Sequence, residues 1–384
     1  MYRLFISLDM PEIKNPGIKE RINTPDSKMT ENYLYWVSLA QTVGKCAFVT
    51  TTISGLILIL FNLFAVKKIF GTYKYLMIIF TCMGIGLAML EVVFHPNLHF
   101  YNMGYVYFTL SEPFNFGQFT LTCFLGVYAG VYCLTISLLA VQFIYRYWAV
   151  FSLKNMSYFR GWKSLVWVLY CCFFGIQWCL GVHLLLEPDS VTKFYFKEEL
   201  LRRYNVVSDE LPLRAFLAYD PSDKSIRLRN WMFAVTVTYI MALQYGIMVY
   251  CGWMMYSKME EKIANLSSAL KHHHKQLFKT LVFQITSPTI FLFSPLVLIL
   301  YLPFFDIEQS FPAGATVCAF NFYPAMDVMI VLYVVTEYRA AAKKYWNIIM
   351  RKLGCEQMIK QRGNSRTTRE TYQLPTLATG ANVV

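Results

Sequence analysis

Ser164–Leu186 reads SLVWVLYCCFFGIQWCLGVHLLL, a stretch without a single Asp, Glu, Lys or Arg. At about 1.5 Å of rise per residue a helix of that length covers roughly the 30 Å of a bilayer's hydrocarbon core. Working outward from it, the same kind of run recurs on both sides. Before it lie Cys46–Val66, bounded by Lys45 and by Lys67 and Lys68, then Tyr75–Phe94, broken only by Glu91, then the run between Glu112 and Arg146. After it lie Asn230–Ser257, Thr280–Phe305 and Ala313–Thr336, the last with Asp327 inside. Seven runs predict an all-α integral membrane protein, a bundle of seven transmembrane helices over residues 33–337. The composition agrees: 56% hydrophobic and 15% charged is far more apolar than the usual soluble mix of about 25% charged. Soluble, disordered, coiled-coil and disulfide-knit secreted classes are excluded together.

The formal charge of +12 is read as a topology signal, because positive loops stay cytoplasmic. Lys67, Lys68 and Lys74 fall in the first connection, Arg146, Lys154, Arg160 and Lys163 around the third, and Lys258, Lys262, Lys271, Lys275 and Lys279 in the fifth. The second connection (95–117) and the sixth (306–312) hold no Lys or Arg, and the long fourth (187–229) holds eight basic and eight acidic residues. This predicts an extracellular N-terminus, a cytoplasmic C-terminus, and membrane lipid rather than nucleic acid as the partner of the basic face. No nucleic-acid motif competes.

Residues 1–32 read as an extracellular arm without a signal peptide's apolar core. Met29 opens MTENYLYW and would serve equally as a start, which leaves open whether residues 1–28 exist in the cell. Of the ten cysteines none lies in the arm or a predicted outer loop, so no disulfide framework follows. Asn155-Met-Ser and Asn265-Leu-Ser fit the glycosylation pattern but fall in loops assigned to the cytosol. His272 to His274 read as a polar loop rather than a metal site, and no cofactor is expected.

An enzyme needs convergent nucleophiles, carboxylates or metal ligands, and no HExxH, GxSxG, P-loop or dinucleotide fingerprint occurs. The ionisable residues inside spans are few, and burial in lipid makes each expensive unless partnered in the bundle. Glu91 is either an internal anchor or a ligand contact; His183 is the weaker candidate. Asp327 sits three residues after Pro324 in Tyr-Pro-Ala-Met-Asp, where a proline-distorted helix and an acid together suit a hinge with a polar network. Pro288 and Pro295 kink the sixth span. Arg146, in Phe-Ile-Tyr-Arg-Tyr-Trp, reads equally as an interfacial anchor or as a functional guanidinium. Beyond the seventh span, Tyr338, Ala342, Tyr345, Trp346, Ile349 and Leu353 share one helical face, which predicts an amphipathic membrane-surface helix over 338–355. Cys355 beside it is a palmitoylation candidate, and residues 356–384 read as a disordered cytoplasmic tail.

FGTYKYLM (Phe70–Met77), FIYRYWAV (Phe143–Val150), KQLFKTLVFQ (Lys275–Gln284) and NFYPAMD followed by YR (Asn321–Asp327, Tyr338-Arg339) closely resemble the Str family of nematode seven-transmembrane chemoreceptors, which includes the receptor for diacetyl. The resemblance runs from about Tyr33 to Cys355. It implies a plasma-membrane G-protein-coupled receptor in ciliated sensory endings, with an odorant or other small chemical ligand and a heterotrimeric G protein as partners. On that resemblance Arg146 takes the place of the arginine that ends the third helix of rhodopsin-like receptors, and Tyr-Pro-Ala-Met-Asp that of their seventh-helix proline motif. One departure stands out: the fourth connection has no Cys, so the disulfide that ties this loop in rhodopsin-like receptors cannot form.

Depth and helix spacing place a ligand site in the outer half of the bundle, with Glu91, Gln118, Thr122, Thr236, Tyr239, Phe291, Leu298 and Asn321 as candidate contacts. Arg146, Pro288, Pro324 and Asp327 are the candidates for activation and G-protein coupling. A peptide-activated receptor is the main alternative, favoured by the long charged loop. A ligand-gated channel with a cytosolic N-terminus ranks lower, as does a transporter or hydrolase, which would need paired acids or histidines at one depth.

Overall fold

A computed structural model describes residues 32–65, 73–263, 282–320 and 322–352. Residues 1–31, Asn321, Cys355, His272 to His274, Asn265 and the tail 356–384 lie outside them. Among the described residues six helices are long and apolar enough to cross a membrane: Leu34–Phe64, Tyr73–Phe94, Gln118–Phe151, Gly161–Leu185, Leu228–Lys258 and Val282–Phe305. They are spans 1 to 6. In span 3, 72% of the most apolar stretch is buried inside the protein, against 28–39% in the others. Span 3 is therefore the axis of the bundle, and the rest present a side to lipid. Span 3 packs tightly on span 4 because Gly130 and Gly175 face each other: a Cβ on Gly130 would stand 2.8 Å from the Gly175 carbonyl oxygen, the small-residue contact by which membrane helices approach closely.

Three expectations shift in detail. Span 1 starts at Leu34 rather than Cys46, so Lys45 lies within the helix, with its side chain exposed. Span 6 holds a π turn, Thr289–Phe293, between Pro288 and Pro295; Ser294 N–H bonds the Thr289 carbonyl, and Pro295 sits in the first turn of the helix Ser294–Tyr301. Span 7 is broken rather than continuous, into Gly314–Ala319 and Phe322–Val334. Pro324 lies in the first turn of the second piece, where its missing N–H costs nothing, so the break precedes the proline and Asp327 lies in regular helix. A further helix, Thr336–Lys352, follows; its Tyr338 is buried and donates to Asn62 Oδ1 at 2.8 Å, and Tyr345 stacks on Phe61.

The sequence pattern predicts no β-structure, yet the connections at one end build a four-stranded antiparallel sheet in the order β3-β2-β1-β4. β1 (Pro96–Tyr101) and β2 (Gly104–Thr109) form a hairpin after span 2. β3 (Leu213–Leu217) comes from the connection between spans 4 and 5, and β4 (Ser310–Pro312) from that between spans 6 and 7. A helix, Ser190–Tyr204, packs over the sheet. Asp189 caps it by accepting from Thr192 N–H at 2.9 Å, and Asn205 in the left-handed region ends it. Alternation sorts the strands into two faces: Val106, Phe108, Leu213 and Ala215 join Phe196, Leu200 and Tyr204 in a small core beneath the helix, while Leu98, Phe100, Tyr105 and Phe216 join the bundle's core.

Candidate functional site

Under the sheet lies a cavity of about 100 Å³, roofed by Leu98, Tyr105 and Tyr107. Its walls are Tyr128 and Tyr132 of span 3, Trp178 and Val182 of span 4, Phe233 and Val237 of span 5, Leu296, Ile299 and Leu300 of span 6, and Val317 and Phe320 of span 7. Such a volume is somewhat below the roughly 150 Å³ that accepts a benzene. No charged side chain lines it. Tyr107 and Tyr132 donate to carbonyls of the bundle, Leu125 O at 3.5 Å and Leu292 O at 3.4 Å. Among the described residues no partner is found for the Tyr105 hydroxyl, whose ring is fixed by stacking on Phe216 at 5.1 Å. Burial pushes the Tyr105 phenol well above its ordinary range, so it stays a neutral donor.

The roof is held by one buried carboxylate. Glu199 Oε1 accepts from Arg203 Nε at 3.0 Å and Ser310 Oγ at 2.5 Å, and lies 3.4 Å from His99 Nε2. The other ring nitrogen of His99 is 3.1 Å from the Tyr204 hydroxyl. Tyr33, at the head of span 1, donates its hydroxyl to Ser310 O at 3.0 Å and lies under the Arg203 guanidinium. Span 1's head and all three connections at this end thus converge on one carboxylate. Burial alone would push Glu199 up, but the hydrogen bonds from His99, Ser310 and Arg203 outweigh it and hold the group at about 2. Burial lowers His99 and, with Lys45 nearby, takes His95 down to about 4; both rings are neutral near pH 7.

At the opposite end four spans meet through side chains. Arg146 of span 3 donates from Nε to the Tyr73 hydroxyl of span 2 at 2.7 Å and from Nη1 to Gln284 Oε1 of span 6. Gln284 Nε2 in turn donates to Asp327 Oδ1 of span 7. Gln284 and Asp327 are buried, and the Arg146 guanidinium also lies over the Tyr73 ring. A neutral amide thus carries the arginine's hydrogen-bonding demand to the carboxylate without direct contact between the charges. Rarity within spans marks Arg146 and Asp327 in the sequence; it does not mark Tyr73 and Gln284, which complete the relay.

The candidate ligand residues are placed differently. Glu91 is fully buried yet does not line the cavity. Gln118 spends its amide on Asp209 O and Leu211 O at 2.9 and 3.0 Å, and Thr122 its hydroxyl on Gln118 O. Tyr239 and Leu298 are 56% and 64% exposed and point out of the bundle, with Phe291 37% exposed. Thr236 is half-buried beside Val237. Asn321 lies outside the described residues, next to Phe320. None of the described candidates lines the cavity; Val237 and Ile299, one or two positions from Thr236, Tyr239 and Leu298, do, whereas no lining residue lies within four positions of Glu91, Gln118, Thr122 or Phe291. His183 pairs with Arg214 Nη2 at 2.7 Å, away from the cavity. The eight cysteines from Cys46 to Cys251 are free, and among the described residues no three His, Cys, Asp or Glu side chains gather as metal ligands.

The comparisons with known proteins agree with this architecture. The family described as "Serpentine type 7TM GPCR chemoreceptor Str" matches residues 40–343. The chain is similar to the G-protein coupled receptor str-33 of Caenorhabditis elegans, 36% identical over 79% of this chain and 89% of that protein. It is also similar to the serpentine receptor class r-10 of the same organism, 27% identical over 79% and 90% respectively, and to G-protein coupled receptor str-217, 25% identical over 85% and 97%. A membrane-spanning helical bundle matched over four fifths of its length by one family's pattern belongs to that family: this chain is a member of the Str family of serpentine seven-transmembrane GPCR chemoreceptors.

Proposed function

We propose that the chain is an odorant-class receptor of the plasma membrane that binds a small, mostly apolar molecule beneath the sheet and activates a heterotrimeric G protein at the Arg146 end. On this reading the sheet and the N-terminal arm are extracellular and the C-terminus cytoplasmic, as the lysine-rich connections favour, and the family resemblance implies a sensory cilium. The observation that carries it is that span 6 touches both places. Leu296, Ile299 and Leu300 line the cavity, Gln284 holds Arg146 and Asp327, and the π turn Thr289–Phe293 lies between. Tyr132 in the cavity wall bonds that turn directly through Leu292 O.

A ligand seated against Tyr132 and Leu300 would favour a conformer in which the lower part of span 6 pivots near Pro288 and Gln284 leaves Arg146. The ligand must prefer that conformer; driving a 1:99 population to 99:1 takes about a 10⁴-fold preference. The cavity's size and its roof argue for volatiles over peptides. The test is a second-messenger screen of surface-expressed receptor against small volatiles and peptides, with Arg146→Ala as control. A volatile that activates wild type while Arg146→Ala, stained equally at the surface, stays silent supports the reading. Activation by peptides alone, or signalling unchanged by Arg146→Ala, overturns it. Staining of a C-terminal tag on intact cells overturns the orientation.

A further inference from the structure

The connection between spans 3 and 4 carries a positively charged groove. Two short 3₁₀ segments, Leu153–Phe159 and Gly161–Ser164, fold around an open groove of about 580 Å³ lined by Lys154, Arg160, Trp162 and Lys163 together with Leu153 and Met156. Gly161 sits at φ +58 between Arg160 and Trp162, a conformation that L side chains rarely adopt; it turns the chain so that the three cations share one groove. No acid occurs from Phe151 to Leu186, and among the described residues none of the three cations has an acidic partner. At the sheet end the opposite holds: Arg203, Arg227, Lys193 and Lys224 are each paired with a carboxylate.

We infer that this groove is a binding site for a membrane phospholipid whose headgroup carries two or more phosphates. Three unopposed cations around a space far larger than one phosphate match several phosphate groups, and Arg160 supplies the forked donor suited to them. The acyl chains have a continuous path. Trp162 and Leu153, 84% and 75% exposed at the rim, lead to the outward strip Leu165, Val166, Leu169, Phe173 and Ile176 of span 4, so a lipid can seat its headgroup without leaving the bilayer. The site depends on the chain spanning a membrane and not on G-protein coupling.

The test is native mass spectrometry of the full-length receptor in detergent, titrated with dioctanoyl phosphatidylinositol bisphosphate. One-to-one binding is expected, weakened at least tenfold in K154Q/R160Q/K163Q and kept within twofold in both K154R/K163R and K343Q/K344Q/R351Q. All three groove cations are exposed, and an unchanged melting temperature verifies that the triple variant is folded. Equal loss in the second triple variant would mean diffuse attraction, equal binding of dioctanoyl phosphatidylcholine would mean no headgroup recognition, and equally tight binding of free inositol trisphosphate would mean a soluble phosphate site. Each overturns the proposal. So does a triple variant that keeps the lipid but loses nucleotide exchange on added G protein, which would give the groove to a protein partner.

Discussion

The two ends of the bundle are held together by different means. At the sheet end, backbone ladders join three connections, and a buried carboxylate with three polar neighbours locks the packed helix above them. At the Arg146 end, four spans are joined through the side chains of Tyr73, Arg146, Gln284 and Asp327. A ladder yields only when many bonds break at once, whereas a relay can be undone by one rotamer change. The sheet also stands where rhodopsin-like receptors carry a loop disulfide, which this chain's cysteines cannot supply: β3 is pinned to β2 by hydrogen bonds instead. A fixed roof over a cavity and a releasable base are the parts the proposed function needs.

The comparison predicts that the largest single effect comes from the relay's middle. Gln284→Leu leaves Arg146 and Asp327 without the amide between them, in a setting where stripping a partner from a buried charge typically costs about 3 kcal/mol or more. The variant's melting temperature should fall clearly, and the surviving surface-expressed receptor should show raised ligand-independent signalling. A variant as stable and as quiet as wild type would mean that the relay does not hold span 6.

The next effect belongs to the roof. Glu199 is held at about 2, below the ordinary glutamate value of about 4.3. It therefore contributes stability that is fully present above the ordinary value and lost as pH falls toward 2, on the order of 3 kcal/mol at most. Melting of wild type and Glu199→Gln at pH 6 and pH 3 separates its share from that of other carboxylates: the gap between the two proteins should shrink at pH 3. A gap that does not change with pH would mean that the carboxylate's charge is not what holds the roof.

The two ends also differ in how far the sequence alone discloses them, for physical reasons. The spans are legible because an uncharged run of bilayer length is hard to bury in any soluble fold, and Arg146 and Asp327 because charge within a span is rare. Tyr73 and Gln284 lie inside the motifs FGTYKYLM and KQLFKTLVFQ, but neutral polar residues near span ends carry no signal of their own. The sheet stays hidden because its strands are three to six residues long and scattered over three connections, so that only long-range pairing defines it. At the cavity, sequence leaves the inward faces open: in helices apolar all round, such as span 4, periodicity does not fix which side points inward. Hence spacing selects Tyr239 and Leu298 where Val237 and Ile299 line the wall.

Tyr105→Phe asks whether the roof also reads the ligand. One hydrogen bond is worth about 0.5–1.5 kcal/mol, so the variant should lose roughly twofold to tenfold in potency toward ligands with a carbonyl or hydroxyl acceptor. Pure hydrocarbons of the same size should be unaffected. An equal loss for both would assign Tyr105 to shape rather than recognition.

The smallest effect is expected from a pair that does the same job as Glu199 in the open. Lys224 Nζ and Asp306 Oδ2 are 2.5 Å apart and, like Glu199 and Ser310, join the connection between spans 4 and 5 to that between spans 6 and 7. Their side chains, however, are 55% and 39% exposed. Water already solvates both charges, and salt screens what remains, so such pairs contribute roughly 0–1 kcal/mol. A double-mutant cycle of Lys224→Ala and Asp306→Ala, read by thermal melting, should return a coupling below about 1 kcal/mol that vanishes in high salt. If the exposed pair instead proved worth as much as the buried carboxylate, the sheet end would owe its rigidity to the number of cross-connections rather than to their burial. Its contrast with the Arg146 end would then be one of count, since the relay there joins its spans with only a handful of bonds.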